Sequence, residues 1–383
     1  MDPFAPARLG PLTLRNRIVK AATFEGLTRT HVVSDELVEF HRRVAAGGVG
    51  LTTVAYCAVS PDGCGTPNEL IVTPDAAPGL ARLADAVHAE GAAVSAQIGH
   101  AGAVAAGTGR RAVSPSPVFS PLAMRRTRAV TPDEIARIVG DFAAAARIVA
   151  AAGFDAVEVH LGHGYLPSEF LSPRLNRRGD EWGGSLENRA RFPRAIARAV
   201  REAVGDRVAV VAKVNMADGV RGGLWLDESV EVGRMLEADG ALDALVLSAG
   251  SSLQNPMYLF RGEAPVAEMS RAMPRAIRPA FRLAGRAFLH EYPFQEAYLL
   301  PYARQFRAAL DMPLVLLGGV NRLDTVQAGL DEGFELVAMA RALLREPDLV
   351  ARWQRGATQE SLCVHCNKCM ATIYRGTHCV LVE

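Results

Sequence analysis

The chain has almost no excess of charge: 42 Lys and Arg stand against 41 Asp and Glu, a formal net charge of +1 in 383 residues. Arginine is abundant but interspersed with acids, so no electrostatic surface for nucleic acid is expected. With 49% apolar and 22% charged residues, the composition is not that of a disordered chain either. No uninterrupted apolar run reaches membrane-spanning length. At Met1-Asp2-Pro3-Phe4-Ala5-Pro6 there is no basic segment followed by an apolar core. These lacks lead us to expect a cytoplasmic protein that acts on small molecules and has neither nucleic-acid nor membrane partners. Cysteine is sparse, and without an export signal a disulfide framework is not expected. Four of the six cysteines nonetheless fall within residues 363–383, the others being Cys57 and Cys64. A dinucleotide fingerprint is missing as well. Gly47-Gly48 precedes its strand where such a loop must follow one, and Gly107-Thr108-Gly109 is a lone match.

What is present is a repeating pattern. Runs rich in Val, Ile and Ala recur at 17–22, 50–55, 93–98, 156–160, 208–214, 244–248, 314–317 and 336–340. Helical segments lie between them, at 34–46, 78–90, 132–152, 186–204, 227–238 and 323–329. Strands alternating with helices predict a parallel sheet, and eight such units fit a closed (β/α)8 TIM barrel over residues 1–350. Two long insertions are expected at 99–131 and 250–311, the second with helical pieces of its own, and residues 351–383 are expected to form a short Cys-rich tail packed on the barrel. Nothing in the sequence sets the symmetry of a homo-oligomer, although barrels of this kind often associate.

A barrel of this type builds its site from the carboxyl ends of its strands. Read in order, those ends carry Ala22 and Thr23, Tyr56, Gln97 with His100, His160 with His163 and Tyr165, Lys213, Ser248, Gly318-Gly319 and Arg341. His160, His163 and Tyr165 leave one strand end together, which places three proton-donating or proton-relaying groups in one small volume. Lys213 sits in the run Ala209-Val210-Val211-Ala212-Lys213-Val214, and a cation so placed wants a partner. It could face an electron-rich cofactor ring, or act as a desolvated Schiff-base amine. Gln97 carries both a donor and an acceptor, which suits the edge of a heteroaromatic ring. Gly318-Gly319 and Arg341 lie where barrels place phosphate.

The segment at 155–192, DAVEVHLGHGYLPSEFLSPRLNRRGDEWGGSLENRARF, resembles the signature of the Old Yellow Enzyme family of FMN-dependent oxidoreductases. Asn16-Arg17-Ile18-Val19, Gln97-Ile98-Gly99-His100-Ala101-Gly102 and the stretch LVAMARALLREPD at 336–348 agree with it, so the likeness covers nearly the whole barrel. The resemblance implies an FMN-holding barrel that takes hydride from NADH or NADPH and reduces an activated, carbonyl-conjugated alkene or a related acceptor. It implies that His160 and His163 bind the activating oxygen and that Tyr165 supplies the proton. Lys213 would stand beside the flavin pyrimidine and Gln97 would bond the ring edge. Ala22, Thr23 and Tyr56 would also lie at the flavin, with Gly318, Gly319, Ala340 and Arg341 at its phosphate.

The likeness has departures. Phe24 stands where many members have Cys or Thr, Tyr56 where a smaller residue is frequent, Ala340 for a common Gly and Trp182 for a common Tyr. The tail, Cys363-Val364-His365-Cys366-Asn367-Lys368-Cys369 with Cys379, resembles the iron-sulfur segment of the branch of dienoyl-CoA reductase and trimethylamine dehydrogenase, with shorter spacing. An iron-sulfur cluster, a zinc ion or no metal all remain open for it. Two other functions stay beside the leading one: a flavin-free lyase or aldolase using Lys213, and a non-catalytic barrel whose tail binds metal.

Overall fold

The computed structural model describes residues 1–105, 111–273, 275 and 278–382. Gly107-Thr108-Gly109 lies outside the described residues.

Eight parallel strands form the barrel: β1 (Ile18–Lys20), β2 (Leu51–Ala58), β3 (Ala93–Gly99), β4 (Ala156–Leu161), β5 (Ala209–Asn215), β6 (Ala244–Ser248), β7 (Leu314–Leu317) and β8 (Leu336–Met339). Each pairs with its sequence neighbours, and β1 pairs with both β8 and β2, which closes the barrel. The surrounding helices are α1 (Asp35–Ala46), α2 (Ala77–Ala89), α3 (Pro132–Ala151), α4 (Leu186–Val204), α5 (Leu226–Ala238), α6 (Leu300–Ala309), α7 (Leu323–Asp331) and α8 (Leu349–Gln354). The expected (β/α)8 architecture is the observed one.

The strands read as continuous apolar runs because both faces are buried. Along β5, Ala209 and Val211 face the interior with Ala156, Val246 and Leu336. Val210, Ala212 and Val214 face outward into the layer that packs against the helices. Helix starts are marked by side chains that accept the free backbone N–H groups. Thr131 and Glu134 form a reciprocal capping box on α3, a device worth roughly 1 kcal/mol.

The two ends of the barrel differ. An antiparallel hairpin, Ala7–Leu9 with Leu12–Leu14, precedes β1. Its Leu9 and Leu14 are buried against Leu51, Ala156, Ala244 and Leu336, the first inward residues of their strands. Burying each leucine contributes roughly 1.5–3 kcal/mol, and the amino end of the barrel is thereby sealed with apolar side chains. The opposite end, where the strands stop, is lined with polar groups.

Two differences from the sequence expectation have local causes. β2 runs on to Ala58 because a register shift between Val54 and Cys57 lets it keep pairing with β3 as far as Gly99. The sealing hairpin is too short to carry a periodic signal. As expected, the insertion at 250–311 has helical pieces: the barrel helix α6 and the shorter helices Pro256–Phe260, Val266–Ala272 and Arg278–Phe288. Among the described residues no helix is long and apolar enough to cross a membrane.

Candidate active site

Alternation along three adjacent strands carries polar side chains to the mouth. The β3–β4–β5 register sets Glu158 opposite Gln97 and Val211, and His160 opposite Lys213. Glu158 Oε1 accepts from Gln97 Nε2 at 2.6 Å and from Lys213 Nζ at 2.8 Å. Both members of the ion pair are buried, with side-chain exposures of 1% for Lys213 and 5% for Glu158. The partner that Lys213 requires is therefore a carboxylate of the barrel itself. An ammonium so paired is poorly placed to act as a neutral Schiff-base amine.

The turn after β4 presents the histidines and the tyrosine. His163 and Gly164 both adopt left-handed conformations, with φ of +61° and +74°. Asn215 Oδ1 at the end of β5 accepts from the His163 backbone N–H at 3.0 Å, and the Ser252 N–H donates to the His163 carbonyl at 2.8 Å. The His163 ring is fixed by a 2.7 Å bond between Nε2 and Ser248 Oγ, which leaves its other nitrogen for a ligand. His160 lies with its ring centroid 5.0 Å from that of His163 and 4.6 Å from that of Tyr165. Tyr56 adds a fourth ring 5.0 Å from Tyr165. His160 Nδ1 is buried without a hydrogen-bond partner, as is Thr23 Oγ1 beyond β1. Burial, then His163 and Lys213, holds His160 well below the usual imidazole range. Burial and Lys213 push His163 down to about 3. Both rings are therefore neutral near pH 7, each with one N–H to donate. Burial, then the Glu69 carboxyl, raises the Tyr165 phenol well above its ordinary value.

Ala22 and Phe24 pack with Tyr56 and Tyr165 in one apolar cluster at this face. The other side of the mouth holds the residues expected at a phosphate. Gly318 and Gly319 have φ of +119° and +76°. A Cβ on Gly318 would meet Leu299 Cγ at 2.6 Å, and one on Gly319 would meet Tyr298 Cδ1 at 2.4 Å. The pair is thus needed for close packing as well as for its backbone conformation. Arg341, the first residue of the short helix Arg341–Arg345 that follows Ala340, donates from Nη1 to the Arg261 carbonyl at 3.0 Å and to Asn367 Oδ1.

Asn367 belongs to the tail, which lies across this end of the barrel. His365 stacks on Phe294 at 3.4 Å between centroids, and farther along Thr377 bonds the carbonyls of Phe24 and Glu25. Cys363, Cys366, Cys369 and Cys379 line one small cavity with Arg341 and Arg345. The four thiols are together but not closed into a metal site: among the described residues no three His, Cys, Asp or Glu groups are placed to hold a metal ion. Burial raises the Cys363 thiol and pushes Cys369 up to about 11. Arg345 occupies Cys379, with Nη1 3.7 Å from Sγ. The four candidate cysteines are thus gathered at one cavity beside Arg341.

Two residues of the site carry no prominent sequence signal. Glu158 joins Gln97 to Lys213, and Asn215 anchors His163; each is two residues from a recognised group and so shares its face of the strand.

Comparison with known proteins agrees with this geometry. The model of the NADH:flavin oxidoreductase / NADH oxidase family matches residues 2–247. The chain is 56% identical over 380 residues to the 4,4'-dithiodibutanoate disulfide reductase of Rhodococcus erythropolis, covering 99% of this chain and 94% of that protein. It is 34% identical to a metal reductase of Desulforamulus reducens, covering 97% of this chain and 52% of that one, so it spans about half the length of this relative. Among solved structures, a complex of 2-naphthoyl-CoA reductase with 2-naphthoyl-CoA superposes with a TM-score of 0.84 at 27% identity, covering 99% of this chain and 56% of that one. Morphinone reductase in complex with tetrahydroNAD gives 0.73 at 26%, covering 94% and 92%. With its closed barrel and its polar strand tips, the chain belongs to the NADH:flavin oxidoreductase / NADH oxidase family, as an Old Yellow Enzyme-type oxidoreductase that uses FMN and NAD(P)H.

Proposed function

We propose that this protein is an NAD(P)H-driven reductase of carbonyl-conjugated alkenes, with His160 and His163 binding the activating oxygen and Tyr165 supplying the proton. The observation that carries this reading is the convergence of two neutral imidazoles and one weakly acidic phenol on a single barrel mouth. The mouth suits the flavin: Thr23 Oγ1 and His160 Nδ1 are buried polar atoms without protein partners, the kind of orphan that a polar ring ligand satisfies. Gln97, Lys213, Ala22, Thr23 and Tyr56 would hold its ring system. Gly318, Gly319, Ala340 and Arg341 would hold its phosphate, with Arg341 exchanging the Asn367 amide for the anion. FMN supplies the hydride carriage between NAD(P)H and the second substrate.

The side chains do the rest. Neutral imidazole N–H groups donate to the carbonyl oxygen and draw electron density from the alkene, so that its β-carbon accepts hydride. Tyr165 Oη gives a proton to the α-carbon, and solvent restores the phenol. The balance is alkene, NAD(P)H and one proton in, and alkane and NAD(P)+ out. The flavin-free lyase reading loses its support, because the Lys213 charge is matched by Glu158.

A second reading is favoured by the 56% identity to a disulfide reductase. Hydride delivered to one sulfur breaks the S–S bond, and the departing thiolate leaves against the same imidazole N–H groups, taking its proton from solvent. Tyr165→Phe separates the readings. With 2-cyclohexenone we expect acceptor reduction to slow by about 100-fold or more, while the rate at which NAD(P)H bleaches the flavin is retained. With 4,4'-dithiodibutanoate the loss should be far smaller. Equal loss in the reductive and oxidative half-reactions would contradict a proton-donor role for Tyr165.

A further inference from the structure

Beside the turn that carries His163 lies a cleft of about 450 Å³ whose rim holds Arg126, Arg174 and Arg177. All three side chains are exposed. Their hydrogen bonds go to backbone carbonyls: Arg126 Nη2 to Pro117 at 3.4 Å, Arg174 Nη1 to Arg221 at 3.0 Å and Arg177 Nε to Arg174 at 3.2 Å. Carbonyl bonds orient a guanidinium without neutralising it. Among the described residues, none of the three has a carboxylate partner within ion-pair distance, whereas nearby Arg178 pairs with Asp180 at 2.5 Å and Arg128 with Glu134 at 2.5 Å. In a chain whose net charge is only +1, three unmatched guanidinium groups on one rim are a local concentration of positive charge.

Apolar side chains share the lining with the polar ones. Leu175 and Leu253 are buried in one cluster with Ala103, and Phe119 projects beside them with 55% of its surface exposed. The cleft is joined to the reacting groups through the chain. Leu253 follows Ser252, whose N–H bonds the His163 carbonyl, and Leu175 lies just beyond the short helix Leu166–Leu171 that begins after Tyr165. The size is that of a small-molecule site, and arginine forks match carboxylate and phosphate oxygens.

We propose that this cleft is a subsite for the anionic end of the acceptor, so that the preferred acceptors carry a carboxylate. The inference rests on the reductase reading for its biological role, but the subsite can be tested by binding alone. The probes are 4,4'-dithiodibutanoate and its dimethyl ester, which differ in charge and not in the reducible bond. In the FMN-loaded protein, Arg174→Gln combined with Arg177→Gln should lower the kcat/KM ratio of dicarboxylate over diester about tenfold or more, since two charge-assisted forks are lost. The dissociation constant of the dicarboxylate, measured by calorimetry without reductant, should rise by a similar factor. Arg126→Gln is the second variant, with the same expected direction.

An unchanged ratio together with an unchanged dissociation constant would overturn the proposal. So would a loss confined to NADPH relative to NADH, which would assign the arginines to the nucleotide's extra phosphate. If the unaltered protein turns over neither probe, the reductase reading fails for disulfides, and calorimetry still decides the subsite.

Discussion

Glu158 is the residue on which the polar mouth depends. It accepts from Gln97 and Lys213 through one oxygen, and its removal would leave a buried ammonium without a counter-charge. Breaking a buried pair from one side costs about 3–5 kcal/mol. Glu158→Ala should therefore lose stability of that order in denaturant unfolding, and Glu158→Gln, which keeps an acceptor, should lose less. A loss from Glu158→Ala below about 1 kcal/mol would show that Lys213 finds another partner. At this scale the sequence was partly legible. His160, His163 and Tyr165 stood out because three proton-handling groups within six residues are rare by chance. Glu158 did not, although strand alternation places it on the His160 face. A single acid in an apolar strand draws attention only once its register partners are known.

At the scale of the element, the turn after β4 is where sequence and geometry are most tightly bound. Two successive left-handed residues lift His163 over Ser248, and only the second of them is a glycine. A methyl group on Gly164 would lie 2.5 Å from Ser251 Oγ, in the segment that also bonds the His163 carbonyl. Gly164→Ala should thus cost more than the roughly 1 kcal/mol of the backbone conformation alone. It should also lower acceptor turnover by displacing His163. Gly184→Ala is the control: its φ is +80° but nothing lies within 4 Å of the added methyl, so it should pay only the conformational cost. Similar stability and turnover in the two variants would contradict the packing argument. The barrel strands were legible to within a few residues, because burial on both faces writes long apolar runs. The sealing hairpin, with three-residue strands, was not, since its packing partners are distant in sequence, whereas helices between β6 and β7 were expected though not their bounds.

For the whole molecule, the decisive asymmetry is between the apolar seal made by Leu9 and Leu14 and the polar mouth at the other end. One end stabilises the barrel, which frees the other to hold charged and unpaired groups. The tail lies on that polar end, with Asn367 on Arg341 and Thr377 on the loop after β1. How the tail packs could not be read from its cysteine spacing, because Asn367 and Thr377 make their contacts with segments far away in the chain.

The central claim, that this mouth holds a flavin through which NAD(P)H reduces a small acceptor, is tested most directly by one anaerobic absorption titration. We expect purified protein to be yellow and to release FMN on denaturation. NADH or NADPH should bleach the visible bands, and 2-cyclohexenone or 4,4'-dithiodibutanoate should restore them. A colourless protein that takes up no added FMN, or a bound flavin that neither nicotinamide nucleotide reduces, would contradict the account.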